Sequence, residues 1–385
     1  MRRTSRLATA LCAALGAAGA LASEFPAAFD SQVAAGLPAT LELPPEAGKA
    51  VVRVLIVDAP LRSVVDFPSQ EPVRMFHARL DGAPAVVTRA GADMRITVAG
   101  GDGVDVLAPE ADGTMNVHHL GGAGRGPARE GGRARRSVRP GSGDTPFVRV
   151  VKPDDLPLED TGEVQPLRVY FFLHDELTQP PKPFDLAWIY GRSPGAAPKL
   201  GEVIENIHAG YVAWWLADLE RNVLPGQPLR VTYMASMPGI TDAAYGTPST
   251  HVDWAFAMPS VARRYRLPWG KSYRNKFVLL LPDEVAPGVA GKAFKEGNTA
   301  VASVNASYSV IAHELGHTLG AVHEDSDIRF SGAWWCETNM YPGGVPFTAN
   351  CYEYTRANQL RIQDYYSGGP GRPRALGLSM EETID

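Results

Sequence analysis

Apolar positions between residues 24 and 120 come in short runs and alternations bounded by turn residues. Val51 to Val57 is a mostly apolar run, Arg74 to Leu80 alternates, and Asp81-Gly82 marks a turn before Ala85 to Arg89. Met94 to Val98 and Val104 to Leu107 are two further short runs separated by a glycine-rich turn. This spacing predicts a β-rich domain over residues 23–120. Residues 121–145 are dominated by Gly, Arg and Pro, and such a segment is expected to be a flexible linker that cannot bury a core. A second domain is expected over 146–367. In it, Leu167 to Leu173 reads as a strand buried on both faces. Ile204, Ile207, Tyr211, Trp215 and Leu219 recur at helical spacing, and Leu229 to Met234, Phe277 to Leu281 and Thr299 to Val304 read as strands. Alternating helices and strands make the fold class α+β. Residues 368–385 are again rich in Gly, Pro and Arg and are expected to be a loose tail, and no internal repeat is found.

The chain's start and its cysteines set the compartment. Arg2, Arg3 and Arg6 precede an apolar stretch from Leu7 to Ala22, which ends in the small-x-small tripeptide Ala20-Leu21-Ala22. The stretch is short of the roughly 20 residues of a bilayer span, so residues 1–22 are expected to be a cleaved secretory signal. The protein would then be extracellular or periplasmic, with no membrane span in the mature chain. Cys12 would leave with the signal, so the mature chain keeps Cys336 and Cys351, an even pair that points to one disulfide in an exported protein. Closing a loop of that length contributes roughly 3 kcal/mol on the chain-entropy model. A net charge of −5 gives no basic footprint for nucleic acid.

Three of the nine histidines fall between Ile311 and Glu324, in I-A-H-E-L-G-H-T-L-G-A-V-H-E. On a helix His313 and His317 share a face one turn apart, and Glu314 beside them can reach a water on a shared metal. His323 can join them only if the helix stops. Continued to that position, it would carry the side chain about 240° round and ~9 Å along. Gly320 is where a left-handed residue can end the helix. Three neutral imidazoles with an open fourth position make a catalytic zinc site, one ion per chain, whereas a structural site takes four protein ligands.

The extended pattern of His313, Glu314, His317, Gly320 and His323 resembles that of the metzincin zinc peptidases, and Met340 in Thr338-Asn339-Met340-Tyr341-Pro342 matches their methionine turn. The short gap from His323 to Met340, with a cysteine just before it, is most similar to the reprolysin (adamalysin) branch, whose prodomain residues 70–120 also resemble. Glu324, by contrast, is similar to astacins, and Met340-Tyr341-Pro342 to matrixins. The resemblance covers roughly residues 165–367. It implies a twisted mixed sheet with a zinc-binding active-site helix, and Met340 as a hydrophobic floor under the histidines. It also implies a protein or peptide substrate bound as an extended strand along an edge formed by Thr299, Ala300 and Val301 and their neighbours, with Tyr341, Pro342 and Gly343 walling a side-chain pocket. A monomer is expected; the resemblance leaves structural calcium open.

Glu314 is then the base of a zinc-dependent endopeptidase. Two other readings stay open: a gluzincin-type peptidase with Glu337 as third ligand, and a non-catalytic zinc-bearing binding protein. Residues 23–145 hold no catalytic constellation, precede the peptidase and end in the basic run Arg133-Ala134-Arg135-Arg136. That order suits a latent zymogen. No cysteine is there to cap the metal, which leaves Asp144, His118 or His119 as capping candidates.

Overall fold

The computed structural model describes residues 24–121, 166–178 and 200–367, apart from short gaps at 47, 50, 68–71, 102, 111, 271, 332–333 and 343–347. The expected signal, nearly all of the linker, the tail, Asp144 and Gly343 lie outside the described residues.

Residues 24–35 form a helix (α1) that the strand pattern did not foretell. After it come β1 (Ala39–Glu42), β2 (Val54–Pro60), β3 (Val64–Asp66), β4 (Val73–Leu80), β5 (Ala83–Ala90), β6 (Asp93–Ala99), β7 (Gly103–Pro109) and β8 (Met115–Gly121). All but β3 make one antiparallel sheet in the order β1-β2-β4-β5-β6-β7-β8. Successive side chains on a strand point to opposite faces, and here both faces are covered. Phe76, Ala78, Leu80, Val87 and Leu107 pack with Phe29 of α1 in one core. Met75, Val86, Val104 and Val106 belong to a different core, shared with the second half of the chain.

The second sheet has the order β12-β13-β11-β9-β10-β3, with β9 (Leu167–Leu173), β10 (Leu229–Met234), β11 (Asn275–Leu281), β12 (Gly291–Ala293) and β13 (Thr299–Ser303). Its pairs are parallel except β12 with β13. The continuous apolar run of β9 divides between the faces. Val169, Phe171 and Leu173 meet a helix running from 200 to 223, while Tyr170 and Phe172 meet Trp254 and Met258 of α4 (Thr250–Tyr265). The 200–223 helix is α-helical at α2 (Leu200–Ile207) and α3 (Ala213–Asp218) and widens into π turns at His208–Val212 and Leu219–Val223.

β13 leads into α5 (Val310–Thr318), then a three-stranded sheet of β14 (Ile328–Ser331), β15 (Trp334–Glu337) and β16 (Ala349–Asn350), and last α6 (Arg356–Tyr366). The arrangement is α+β with several sheets. One expectation is corrected here. Thr299, Ala300 and Val301 do not form an edge: β13 is buried along its length between β11 and β12, and β12 is the edge strand.

Candidate metal centre

Ser303 ends β13, and Val310 opens α5 on the same face of the sheet as the 200–223 helix. His313 and His317 lie one turn apart on α5. The helix then stops as Gly320 requires: its φ is +91°. The Ala321 N–H donates to Gly316 O and the Gly320 N–H to His317 O, both at 2.9 Å, the two bonds of a Schellman end. The reversed chain brings His323 back toward the helix. The three Nε2 atoms form a triangle with sides of 2.9, 3.0 and 3.2 Å.

That triangle fits a metal. Imidazole nitrogens around a tetrahedral zinc with ~2.0–2.1 Å bonds stand about 3.3 Å apart. The outer nitrogens fix the tautomers: His313 Nδ1 lies 2.9 Å from Asn339 O and His317 Nδ1 lies 3.3 Å from Ala321 O. Donating there leaves the Nε2 lone pairs directed at the centre. Burial, with His323 beside it, pushes His313 down to about 4, so it is neutral near pH 7 as a ligand must be. Among the described residues these three histidines are the one group of His, Cys, Asp or Glu arranged to hold an ion.

Glu314 is buried and faces β12. A Cβ on Gly291 would stand 2.5 Å from Glu314 Oε1 and 2.6 Å from its Cγ, so the carboxylate occupies the space a side chain would take. Beneath α5, Met340 is fully buried, and a Cβ on Gly316 would meet its Sδ at 2.3 Å. The Tyr354 hydroxyl donates to Ala312 O at 2.5 Å and accepts from Trp215 Nε1 at 2.9 Å, tying α5 to the 200–223 helix. Lys276, wholly buried on β11, donates from Nζ to Thr318 O at the end of α5 and to Gly297 O.

The third histidine is positioned by a residue the motif does not contain. Asn358, on α6 and fully buried, accepts from the Val322 N–H at 2.8 Å and donates to Val322 O at 3.0 Å. One amide thus satisfies both backbone groups of the residue before His323. Nothing in the local sequence singles out Asn358, Gly291 or Gly316, because each acts on an element far away in the chain or across the helix.

Other expected site residues stand as follows. Cys336 and Cys351 are joined, bracketing Met340. Tyr341 is half-buried and Pro342 exposed just beyond Met340. Glu337 accepts from Thr348 Oγ1 at 2.5 Å and is not part of the histidine group, so the reading with Glu337 as third ligand is set aside. His119 pairs with Asp105 at 2.8 Å on β8, and neither it nor His118 belongs to the metal group.

No protein-family model matches the chain, and no curated protein matches it. Among solved structures it is similar to metalloproteinase-II from Bacteroides fragilis, at 13% identity and a TM-score of 0.46, over 85% of this chain and 91% of that one. At that distance the assignment of the site rests on its own geometry.

Proposed function

We propose that this chain is a secreted zinc endopeptidase of the metzincin kind, nearest the reprolysin branch, with His313, His317 and His323 as ligands and Glu314 as base. The observation that carries it is the convergence of three imidazole nitrogens beside a buried carboxylate for which Gly291 makes room. A zinc ion at that point supplies Lewis acidity, making water a nucleophile near neutral pH and polarising a carbonyl. Glu314 takes a proton from the attacking water and delivers it to the departing amine, so the proton gained in the first step leaves with the product. β12 is the sheet edge on this side, and an edge strand suits a peptide laid alongside as an added strand. Tyr341 and Pro342 then wall the side-chain pocket. Intact Glu314 argues against a binding protein that has lost its chemistry. Export is carried by the signal-like residues 1–22 and the disulfide; among the described residues no helix is long and apolar enough to cross a membrane.

The test is metal analysis together with casein zymography. Wild type should carry one zinc per chain and lose activity to phenanthroline. Glu314→Gln should keep its zinc and lose activity by ~10²–10⁴-fold. His323→Ala should lose both. A Glu314→Gln protein that sheds zinc, or a His323→Ala protein that retains it, refutes these roles.

A further inference from the structure

We infer that residues 24–121 are a permanent part of the working protein. If the chain is cut anywhere between 122 and 165, the amino-terminal unit stays seated on the remainder and the product is a two-chain particle. This goes beyond the peptidase reading and does not depend on it.

The first observation is topological. β3 leaves the antiparallel sheet between β2 and β4 and becomes the last strand of the other sheet, parallel to β10, with Val64, Val65 and Asp66 opposite Arg230, Val231 and Thr232. Asp66 accepts from Arg230 Nε at 2.7 Å and Thr232 Oγ1 at 3.2 Å. Both ends of β3 continue into the amino-terminal sheet, so releasing the unit means stripping a strand from the mixed sheet. The second observation is a shared core. Val65, Phe67, Met75, Val86, Val104 and Val106 belong to the cluster that buries β9, β10 and the 200–223 helix. Phe67 meets the rings of His208 and Tyr233 edge-on at 5.5 and 5.6 Å.

A third observation is polar fit. The π turn draws the Ala213 N–H to His208 O, away from Ala209 O, which an α-helix would have paired with it. Thr97 Oγ1 of β6 donates to Ala209 O at 2.8 Å, in a buried setting. Glu220 accepts from the backbone N–H groups of Arg62 and Ser63 at 2.9 and 2.5 Å. The Tyr352 hydroxyl donates to Gly100 O at 2.7 Å and also contacts Gly103 O. Backbone groups on each side are satisfied by the other, wholly buried at Ala209 O and part-buried at Ser63 and Gly100, and parting the two would leave these groups to be rehydrated.

Place matters as well. β3 lies at one end of the six-strand order and β12, beside Glu314, at the other. Five strand spacings of ~4.8 Å separate them. The strand that ties the unit in therefore lies at the opposite edge of the sheet from the one that flanks Glu314.

The experiment uses the exported chain, cut once by a site-specific protease whose recognition sequence replaces Arg133 to Arg136. Denaturing gels confirm two fragments, and size-exclusion chromatography with light scattering reads the native mass at micromolar protein. The expected result is one particle with the mass of the uncut chain and both fragments present. Separation of the fragments under native conditions, whether the larger one stays soluble or precipitates, overturns the inference. A urea series then tests the elements named. Nicked Val65→Asp should release its small fragment at lower urea than nicked wild type, and equal release points would refute β3 as the holding strand. If Val65→Asp does not fold, nicked Asp66→Ala, which loses the bonds from β3 to Arg230 and Thr232, supplies the same comparison.

Discussion

Gly316 lies between the first two histidines in sequence and faces Met340 and Tyr354, and replacing it with Ala sets two effects against each other. Alanine in a helix interior is better than glycine by about 0.8–1.0 kcal/mol, so propensity alone predicts a more stable protein. Packing predicts the reverse. The new methyl would stand 2.3 Å from Met340 Sδ and 2.9 Å from Tyr354 Cε1. Carbon atoms rest about 3.5–4.0 Å apart without bonding, so something must move by more than ~1 Å. Met340 and Tyr354 are both fully buried, and Tyr354 is tied at its hydroxyl to Ala312 O and Trp215 Nε1. Neither neighbour can yield into solvent. Overpacking of a closed core costs roughly 1–3 kcal/mol, which exceeds the helix gain in most of that range. We expect Gly316→Ala to be less stable by about 1 kcal/mol, the middle of the ~0–2 kcal/mol left once the helix gain is subtracted, a fall in Tm of ~2–4 °C for a unit of this size. Calorimetry on zinc-loaded protein reads it, with zinc content checked by elemental analysis. Met340→Ala in the Gly316→Ala background should cost less than it does in wild type, because the methyl then fills part of the cavity. A Tm equal to or above that of wild type at equal zinc content would refute the packing argument and leave helix propensity as the governing term.

Gly291→Ala should keep its zinc but lower the turnover rate by about 10²-fold, because a misplacement near 1 Å at the base is enough for that; steady-state kinetics with an unchanged KM distinguishes it from a general loss of fold. Asn358→Ala should weaken zinc ~10–100-fold by freeing the segment that carries His323, as read by competition with a chelator. Asp218 gives a pH test. Burial holds its carboxyl up at about 7 from an ordinary 3.8, so the folded protein binds the proton more tightly than the unfolded chain. Its contribution is full below about 4 and is lost as pH rises toward 7. Urea titrations should therefore show Asp218→Asn gaining on wild type from pH 4 to pH 8, by at most on the order of 4 kcal/mol; a gap that stays constant with pH would contradict the buried carboxyl.

The sequence alone determined what depends on local spacing. Two imidazoles one helical turn apart, a glycine where the helix must end and a third imidazole just beyond it are a short-range geometry, and His313, His317 and His323 converge as that spacing implies. Leu167–Leu173 was legible as a strand because a run apolar on both faces suits a sheet covered on both sides. Helices α1, α4 and α6 were not read, since their buried positions answer to distant partners and not to a strong local period. Only the tertiary structure decided which strand is the edge. Thr299–Ser303 and Gly291–Ala293 are both short segments near the motif, and nothing within either says that the shorter pairs outside the longer. The same holds for β3, three residues that join a sheet whose other strands lie a hundred or more positions away, and for Asn358, whose amide meets Val322 across 36 residues. Such pairings are chosen by which backbone groups remain to be satisfied once the chain has packed, and that sum is taken over the whole fold.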